Sequence, residues 1–78
     1  MKEYMLSFEL LKDNDEIEIH ATKEGLEFLK IQIEMILKME QNEHIHLITE
    51  SWGGKELTEE LQNNEGTIIN KVTLFKWD

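Results

Sequence analysis

Residues 44–57 read HIHLITESWGGKEL, and this segment decides the fold. Its first half alternates and is rich in β-branched residues, which predicts a strand over residues 44–50 with Ile45 and Leu47 facing the core. The pattern stops at Trp52-Gly53-Gly54, where the glycines permit positive φ angles or the close approach of another backbone. Trp52 is either a plug in the core, the commoner role of a large aromatic, or a surface anchor for a partner.

Upstream of this strand, the sequence predicts an antiparallel hairpin. Residues 4–11 and residues 16–21 each alternate between two kinds of side chain, which is typical of strands with one side turned to the core. The segment Lys12-Asp13-Asn14-Asp15 between them is a polar turn, because Asn and Asp tolerate left-handed conformations. We therefore expect these two strands to pair directly.

A helix capped by Thr22 is predicted to follow and to end near Gln41 or Asn42. The stripe expected to lie on the sheet consists of Leu26, Leu29, Ile33, Ile36 and Leu37. A second stripe, on nearly the opposite side, consists of Phe28, Ile31, Met35 and Met39. One sheet cannot bury both, so the second stripe either packs under the polar segment after Trp52, stays partly exposed, or forms a protein contact, most simply a homodimer interface.

Downstream, residues 55–66 are polar, with Leu57 and Leu61 spaced for one short helical turn and a turn signal at residues 63–66. The last predicted strand covers residues 67–77. The resulting order is β-β-α-β-β. We expect one α+β domain over residues 1–78, a two-layer sandwich in which one long helix covers one face of a four-stranded, mainly antiparallel sheet.

The opposite face of that sheet would then be open. The alternation assigns to it Glu9, Glu16, Glu18, His20, His44, His46, Ile48, Thr73, Phe75 and Trp77. A metal site is one alternative for this face, with His20, His44 and His46 as ligands, although ordinary surface histidines are the more common case. Catalysis is not expected, because the sequence has no nucleophile elbow, phosphate-binding loop or recognisable carboxylate pair. No cofactor is predicted.

Composition limits the classes of partner. The 78 residues carry a net charge of −9, contain no cysteine, and include no apolar run long enough to span a bilayer. The start of the chain lacks the apolar core of a signal peptide, so we expect a cytoplasmic protein without a membrane partner. Repulsion from phosphate argues against nucleic acid, whereas a basic protein would be attracted, although acidity also simply promotes solubility.

The segment 44–57, together with INKVTLFKW at residues 69–77, resembles the bacterial polymorphic-toxin immunity proteins of family 32. The resembling features are the His-x-His-Leu strand, the Trp-Gly-Gly-x-Glu-Leu turn and the aromatic at the end of the last strand. The resemblance covers about residues 24–77, with a mild departure at residues 48–51. It implies a small α+β protein that binds and neutralises one toxin domain encoded by a neighbouring gene.

On this interpretation the partner is a basic toxin domain, held by aromatic anchors and carboxylates. The candidate partner-binding residues are Trp52, Gly53, Gly54, Glu56, Glu50, His44, His46, Phe75, Trp77 and Glu18. The dimer candidates are Phe28, Ile31, Met35 and Met39. The alternative function is a homodimeric structural or regulatory module that has no toxin partner.

Overall fold

The structure is a computed structural model that describes residues 3–78. The regular elements are β1 (Leu6–Leu11), β2 (Glu16–Ala21), α1 (Lys23–Leu37), β3 (His44–Ile48), β4 (Thr67–Ile68) and β5 (Lys71–Phe75), with 3-10 turns at Lys12–Asn14 and Glu50–Trp52. The α+β class is confirmed. The predicted single four-stranded sheet is not, because the strands form a three-stranded sheet in the order β2-β1-β4 and a two-stranded sheet of β3 and β5.

The first hairpin has the predicted pairing. β1 and β2 are antiparallel, with Leu6 opposite Ala21 and Leu11 opposite Glu16. The chain reverses through the 3-10 turn, which ends at Asp15 with a positive φ of 52°. Aspartate is one of the few non-glycine residues that take this left-handed conformation readily, so the polar turn fixes the register of the hairpin.

The predicted last strand is divided between the two sheets. β4 pairs with β1, whereas β5 pairs with β3, and the break falls at Ile69-Asn70. Both residues at the break still form main-chain hydrogen bonds. Ile69 N donates to Phe8 O of β1 at 2.8 Å, and Asn70 O accepts from the N–H of Thr49, directly after β3, at 3.0 Å. One continuous run of sequence therefore changes sheets, which alternation alone could not reveal.

The segment predicted to form a short helical turn instead joins the two sheets. Leu57 N donates to Ile48 O at 3.2 Å, and Thr58 N donates to Leu6 O at 2.8 Å. The fully buried Leu57 packs with Leu6 and Leu47 at the centre of the core. The predicted helical turn is therefore wrong, since this part of the chain lies extended between β1 and β3. Its polar remainder ends in the predicted turn, where Gly66 N donates to Asn63 O at 2.9 Å.

Helix α1 begins as predicted and packs through only part of the predicted stripe. The Thr22 hydroxyl oxygen accepts from Gly25 N at 3.2 Å, so Thr22 is the N-cap. The side turned to the core contains Gly25 together with Leu29 and Ile36, two members of the first predicted stripe. A Cβ on Gly25 would lie 1.9 Å from Met5 O, so the missing side chain lets the helix approach the hairpin.

The rest of the first stripe and most of the second lie on the two flanks of the helix. Leu26, Ile33 and Leu37 of the first stripe are 55%, 43% and 64% exposed, so the prediction that this stripe lies on the sheet is wrong for them. In the second stripe, the ring of Phe28 stacks on Tyr4 with centroids 5.0 Å apart. Ile31 and Met35 remain about half exposed.

The helix ends at Leu37, earlier than predicted, where Lys76 satisfies carbonyl groups at its C-terminus. Lys76 Nζ donates to Leu37 O at 3.3 Å and to Met39 O at 2.6 Å. A cation at this position also interacts favourably with the negative end of the helix dipole. The chain then turns through Asn42, whose φ is 66°, and enters β3.

Candidate functional site

Four aromatic rings lie in a row on the outer side of the two-stranded sheet. In the β3–β5 pairing His44 is opposite Phe75 and His46 is opposite Thr73, so these side chains share one side of the sheet while Leu47 and Val72 share the other. The ring centroids of His46 and His44 are 4.9 Å apart, those of His44 and Phe75 5.1 Å, and those of Phe75 and Trp77 5.8 Å. We call His46, His44, Phe75 and Trp77 the ring row.

The ring row is exposed. Phe75 and Trp77 are 52% and 74% accessible to solvent, and both histidines also lie on the surface. Trp77 borders a shallow apolar groove between the end of α1 and the end of β5, lined also by Ile33, Leu37 and Leu74. A contiguous exposed surface of rings and aliphatic side chains is typical of an interface.

The surroundings of His46 in the ring row disfavour its protonated form. Partial desolvation, helped by the positive charge of Lys71 and by His44, lowers the pKa of His46. Its Nδ1 lies 3.0 Å from the Thr73 hydroxyl oxygen, so the imidazole is held against β5. A neutral imidazole can stack against a partner as an aromatic ring, whereas a protonated one needs its hydration.

The Trp52 turn lies beyond the other end of β3. Trp52 is 63% exposed, so its interpretation as a core plug is wrong. The two glycines have different physical roles. Gly53 has a φ of 89°, and a Cβ on Gly54 would lie 2.3 Å from Ile48 O. The first glycine therefore allows a left-handed turn and the second allows a close approach to β3.

Two of the three carboxylates predicted to contact a partner, Glu56 and Glu50, lie near this turn. Glu56 Oε1 accepts from Ile48 N at 3.0 Å, so its side chain holds the turn against the edge of β3. Glu50 is exposed, and with Glu59 and Glu60 it lines an open acidic cleft beside Tyr4. This cleft and the exposed Trp52 are close in sequence, and together they form a second surface suited to basic side chains.

The outer side of the three-stranded sheet is covered, contrary to the prediction that it is open. Glu9 is fully buried. One of its carboxylate oxygens accepts from Ser7 Oγ and Gln62 N, both at 2.9 Å, and the other accepts from Asn63 N at 2.9 Å. We call this arrangement the Glu9 clasp, because it attaches residues 58–66 to the sheet.

Glu18 and His20 also belong to the Glu9 clasp. Glu18 Oε1 accepts from Asn63 Nδ2 at 3.1 Å and lies 2.9 Å from His20 Nε2, which is also 3.8 Å from Glu9 Oε1. Burial alone would raise the pKa of Glu9. The hydrogen bonds from Gln62, Asn63 and Ser7, with the nearby His20, outweigh burial and lower it. The hydrogen bonds from His20 and Asn63 likewise lower the pKa of Glu18.

The structure separates the three histidines considered as metal ligands. His44 and His46 lie in the two-stranded sheet, whereas His20 lies in the three-stranded sheet. Within residues 3–78, potential metal-ligand atoms approach one another to within 4.8 Å at Glu9, Glu18 and His20. The hydrogen bonds of the Glu9 clasp already account for that cluster.

A family model described as Immunity protein 32 matches residues 16–72, well over half of the chain. The chain belongs to the Immunity protein 32 family. The expected resemblance is thereby confirmed, and the match spans β2, the helix, the Trp52 turn and part of the last strand. No curated protein and no solved structure matches the chain significantly. Across residues 3–78, no helix combines the length and apolar character that a bilayer span requires.

Sequence reasoning identified the members of the ring row without their arrangement. The alternation placed all four on one side of the sheet, but only the register of β3 with β5 brings His44 next to Phe75. It missed Glu59 and Glu60 of the acidic cleft, since carboxylates in a polar loop give no periodic signal. It also missed Glu9 and Asn63 as structural partners, because their contact joins residues far apart in sequence.

Proposed function

We propose that this immunity-family protein binds a cognate polymorphic-toxin domain stoichiometrically and neutralises it by covering its surface. The observation that carries this proposal is the family match over residues 16–72. The chain acts by occlusion and performs no chemistry of its own. Its place of action is the cytoplasm of the cell that makes it, where a toxin has to be met.

The ring row is the principal contact in this proposal. Aromatic side chains are enriched at the buried centre of interfaces, and tryptophan is among the residues that most often carry the binding energy. Phe75 and Trp77 are pre-arranged, because their rings already stack with centroids 5.8 Å apart and an interplanar angle of 13°. Little side-chain ordering is then required on binding, which favours affinity.

The second contact is the Trp52 turn with the acidic cleft. The net charge of −9 attracts a basic toxin domain over long range and speeds its encounter. Glu50, Glu59 and Glu60 line a cleft that can receive a lysine or arginine side chain. Glu56 supports this contact indirectly, since its carboxylate holds the turn on β3.

Co-expression with the toxin domain encoded by the adjacent gene tests the function itself. Cells that make both proteins are expected to grow, cells that make the toxin alone are not, and calorimetry is expected to give one immunity chain per toxin domain. A toxin that remains active when saturated with this protein would rule the proposal out. The double variant Phe75→Ala with Trp77→Ala serves as the matched non-binding control.

The predicted dimer interface on Phe28, Ile31, Met35 and Met39 stays a prediction. Part of that stripe is engaged within the chain, because Phe28 stacks on Tyr4 and Met39 is half-buried. Ile31 and Met35 are the members left about half exposed. A separate strand edge provides a more specific self-association surface.

A further inference from the structure

Within residues 3–78, the outer edge of β2 carries main-chain groups that pair with no other strand. Thr22 N donates to Met5 O at 3.0 Å, which makes these residues a hydrogen-bonded pair of the β1–β2 ladder. Hydrogen-bonded pairs recur at every second residue, so Ser7 pairs in this way with His20 and Glu9 with Glu18. The N–H and C=O groups of the intervening β2 residues, at positions 17, 19 and 21, therefore point away from β1.

The contacts of β1 confirm this assignment. The same alternation turns the main-chain groups of Leu6 and Phe8 away from β2, and their carbonyl oxygens accept from Thr58 N and Ile69 N at 2.8 Å. β2 is the terminal strand of its sheet. Within residues 3–78, its outward main-chain groups have no main-chain partner in the structure.

This edge also carries exposed apolar side chains. Ile17 and Ile19 are 59% and 51% exposed, although they project from the same side of the sheet as the buried Leu6. The neighbouring Leu10 is 38% exposed, so the helix leaves this part of the hairpin uncovered. Long edge strands with apolar side chains and free main-chain groups are templates for strand addition.

We propose that a second copy of this chain pairs with β2, antiparallel about a two-fold axis at Ile19. In this register Ile19 faces Ile19 of the second copy, and Ile17 faces Ala21 of the second copy. All three outward positions then form hydrogen-bonded pairs, giving about six main-chain hydrogen bonds across the axis. The two three-stranded sheets become one continuous sheet.

Charge favours this register over its neighbour. With the axis at Ile19, each Glu18, which already lies 2.9 Å from His20 of its own chain, is opposite His20 of the other copy, so carboxylates and imidazoles alternate across the axis. Shifting the axis to Glu18 would place two glutamates directly opposite each other and leave about four main-chain hydrogen bonds. The edge is therefore self-complementary in one register.

Cross-linking gives a register-specific test, because the chain contains no cysteine of its own. In Ile19→Cys the two thiols would lie on residues whose Cα atoms are about 5.5 Å apart, within the range of a disulfide. In the matched variant Ile17→Cys, the two cysteines are displaced along the strands by about 13 Å and cannot join. We expect mild oxidation to convert most of Ile19→Cys, and little of Ile17→Cys, into covalent dimer.

Sedimentation of the unmodified chain is expected to show twice the 9.3 kDa mass at high concentration. Ile19→Pro should shift this equilibrium to monomer by at least tenfold, since it removes an N–H that the single chain does not use. Ile31→Lys on the helix flank is the matched control and should leave the dimer intact. Added salt should strengthen the dimer, because both copies are acidic, whereas it should weaken a complex with a basic toxin.

A monomer at all concentrations, or equal cross-linking at positions 17 and 19, would overturn the proposal. So would a dimer that Ile31→Lys abolishes and Ile19→Pro does not, since the helix flank would then be the interface. If the unmodified chain were monomeric and Ile19→Pro lost toxin binding, the partner that pairs with β2 would be the toxin and not a second copy. None of these results alters the test of toxin neutralisation, which depends on growth and on the ring row.

Discussion

The three-stranded and the two-stranded sheet each turn one side away from the core, and the two sides are used differently. On the three-stranded sheet, residues 58–66 cover that side and Glu9 is buried beneath them with every carboxylate contact satisfied. On the two-stranded sheet nothing within residues 3–78 covers the ring row, and Trp77 is 74% exposed. The covered side therefore contributes to stability, whereas the open side is available for binding.

The largest expected effect is on stability, from Glu9→Ala. Removing the carboxylate leaves the N–H groups of Gln62 and Asn63 without their acceptor beneath a covered surface, and we expect a loss of about 3 kcal/mol in unfolding free energy. Denaturant unfolding measures it. The matched control is Glu16→Ala, which removes an exposed glutamate of β2 on the same side of the sheet as Glu9. For this variant we expect the unfolding free energy to change by no more than about 0.5 kcal/mol. Equal losses in both variants would mean that the clasp does not hold the sheet.

Trp77→Ala should have the opposite signature. We expect toxin affinity to fall by about 2 kcal/mol, roughly 30-fold, with unfolding free energy nearly unchanged because the side chain is already exposed. Calorimetric titration of the toxin domain and denaturant unfolding of the variant together provide the measurement. A drop in stability without a drop in affinity would remove Trp77 from the interface.

Trp52→Ala is expected to weaken toxin binding less, by about 1 kcal/mol, because its turn forms the second contact. Because the Trp52 side chain is exposed, we expect the melting temperature of this variant to equal that of the unmodified protein. Comparing the two tryptophan variants by titration and thermal unfolding ranks the two surfaces. A larger effect at Trp52 than at Trp77 would reverse the proposed order.

The clasp also predicts how stability depends on pH. The pKa of Glu9 is lowered in the folded protein, so its contribution is fully present above the ordinary glutamate value of 4.5 and is lost as the pH falls through the lower folded pKa. Acid unfolding followed by circular dichroism should therefore begin below that value. Glu9→Ala should flatten this part of the profile, and an unchanged slope in that variant would assign the acid transition to other carboxylates.

The smallest predicted effect concerns toxin binding in mild acid. The pKa of His46 is lowered below the ordinary histidine value of 6.5, so its ring is neutral at pH 7 and acquires charge only as the pH falls below that ordinary value. A protonated ring should repel a basic toxin and resist burial, so affinity should decrease several-fold across this range. His46→Gln should reduce that dependence while preserving the fold. An affinity that rises in acid would contradict the proposed contact.

Local patterns predicted the elements more accurately than their assembly. The antiparallel hairpin and the N-cap at Thr22 depend on neighbouring residues, and both predictions are confirmed. The side of α1 that packs was predicted only in part, for Leu29 and Ile36, because Gly25 contributes nothing to a hydrophobic pattern although its missing Cβ allows the close contact with Met5. The division of the last strand at Ile69-Asn70 likewise depends on bonds to distant strands.

The candidate site shows the same limit. Period-two alternation predicted that Glu9 and Phe75 lie on the same open surface, because the side chain of each points away from the side that its apolar sequence neighbours turn to the core. Only the path of residues 58–66 distinguishes them, and that path is fixed by bonds from Gln62 and Asn63 that no sequence periodicity records. Coverage of a sheet by a loop is a tertiary property.

Oxidative footprinting of the protein free and bound to its toxin domain tests the central claim most directly, because it reports on both tryptophans and on the edge isoleucines in one experiment. We expect the complex to protect Trp77 and Phe75 strongly from oxidation and Trp52 more weakly, and to leave the labelling of Leu26 on the helix flank unchanged. Full labelling of Trp77 and Phe75 in a saturated complex would contradict the central claim, since the toxin would then be held without covering the ring row.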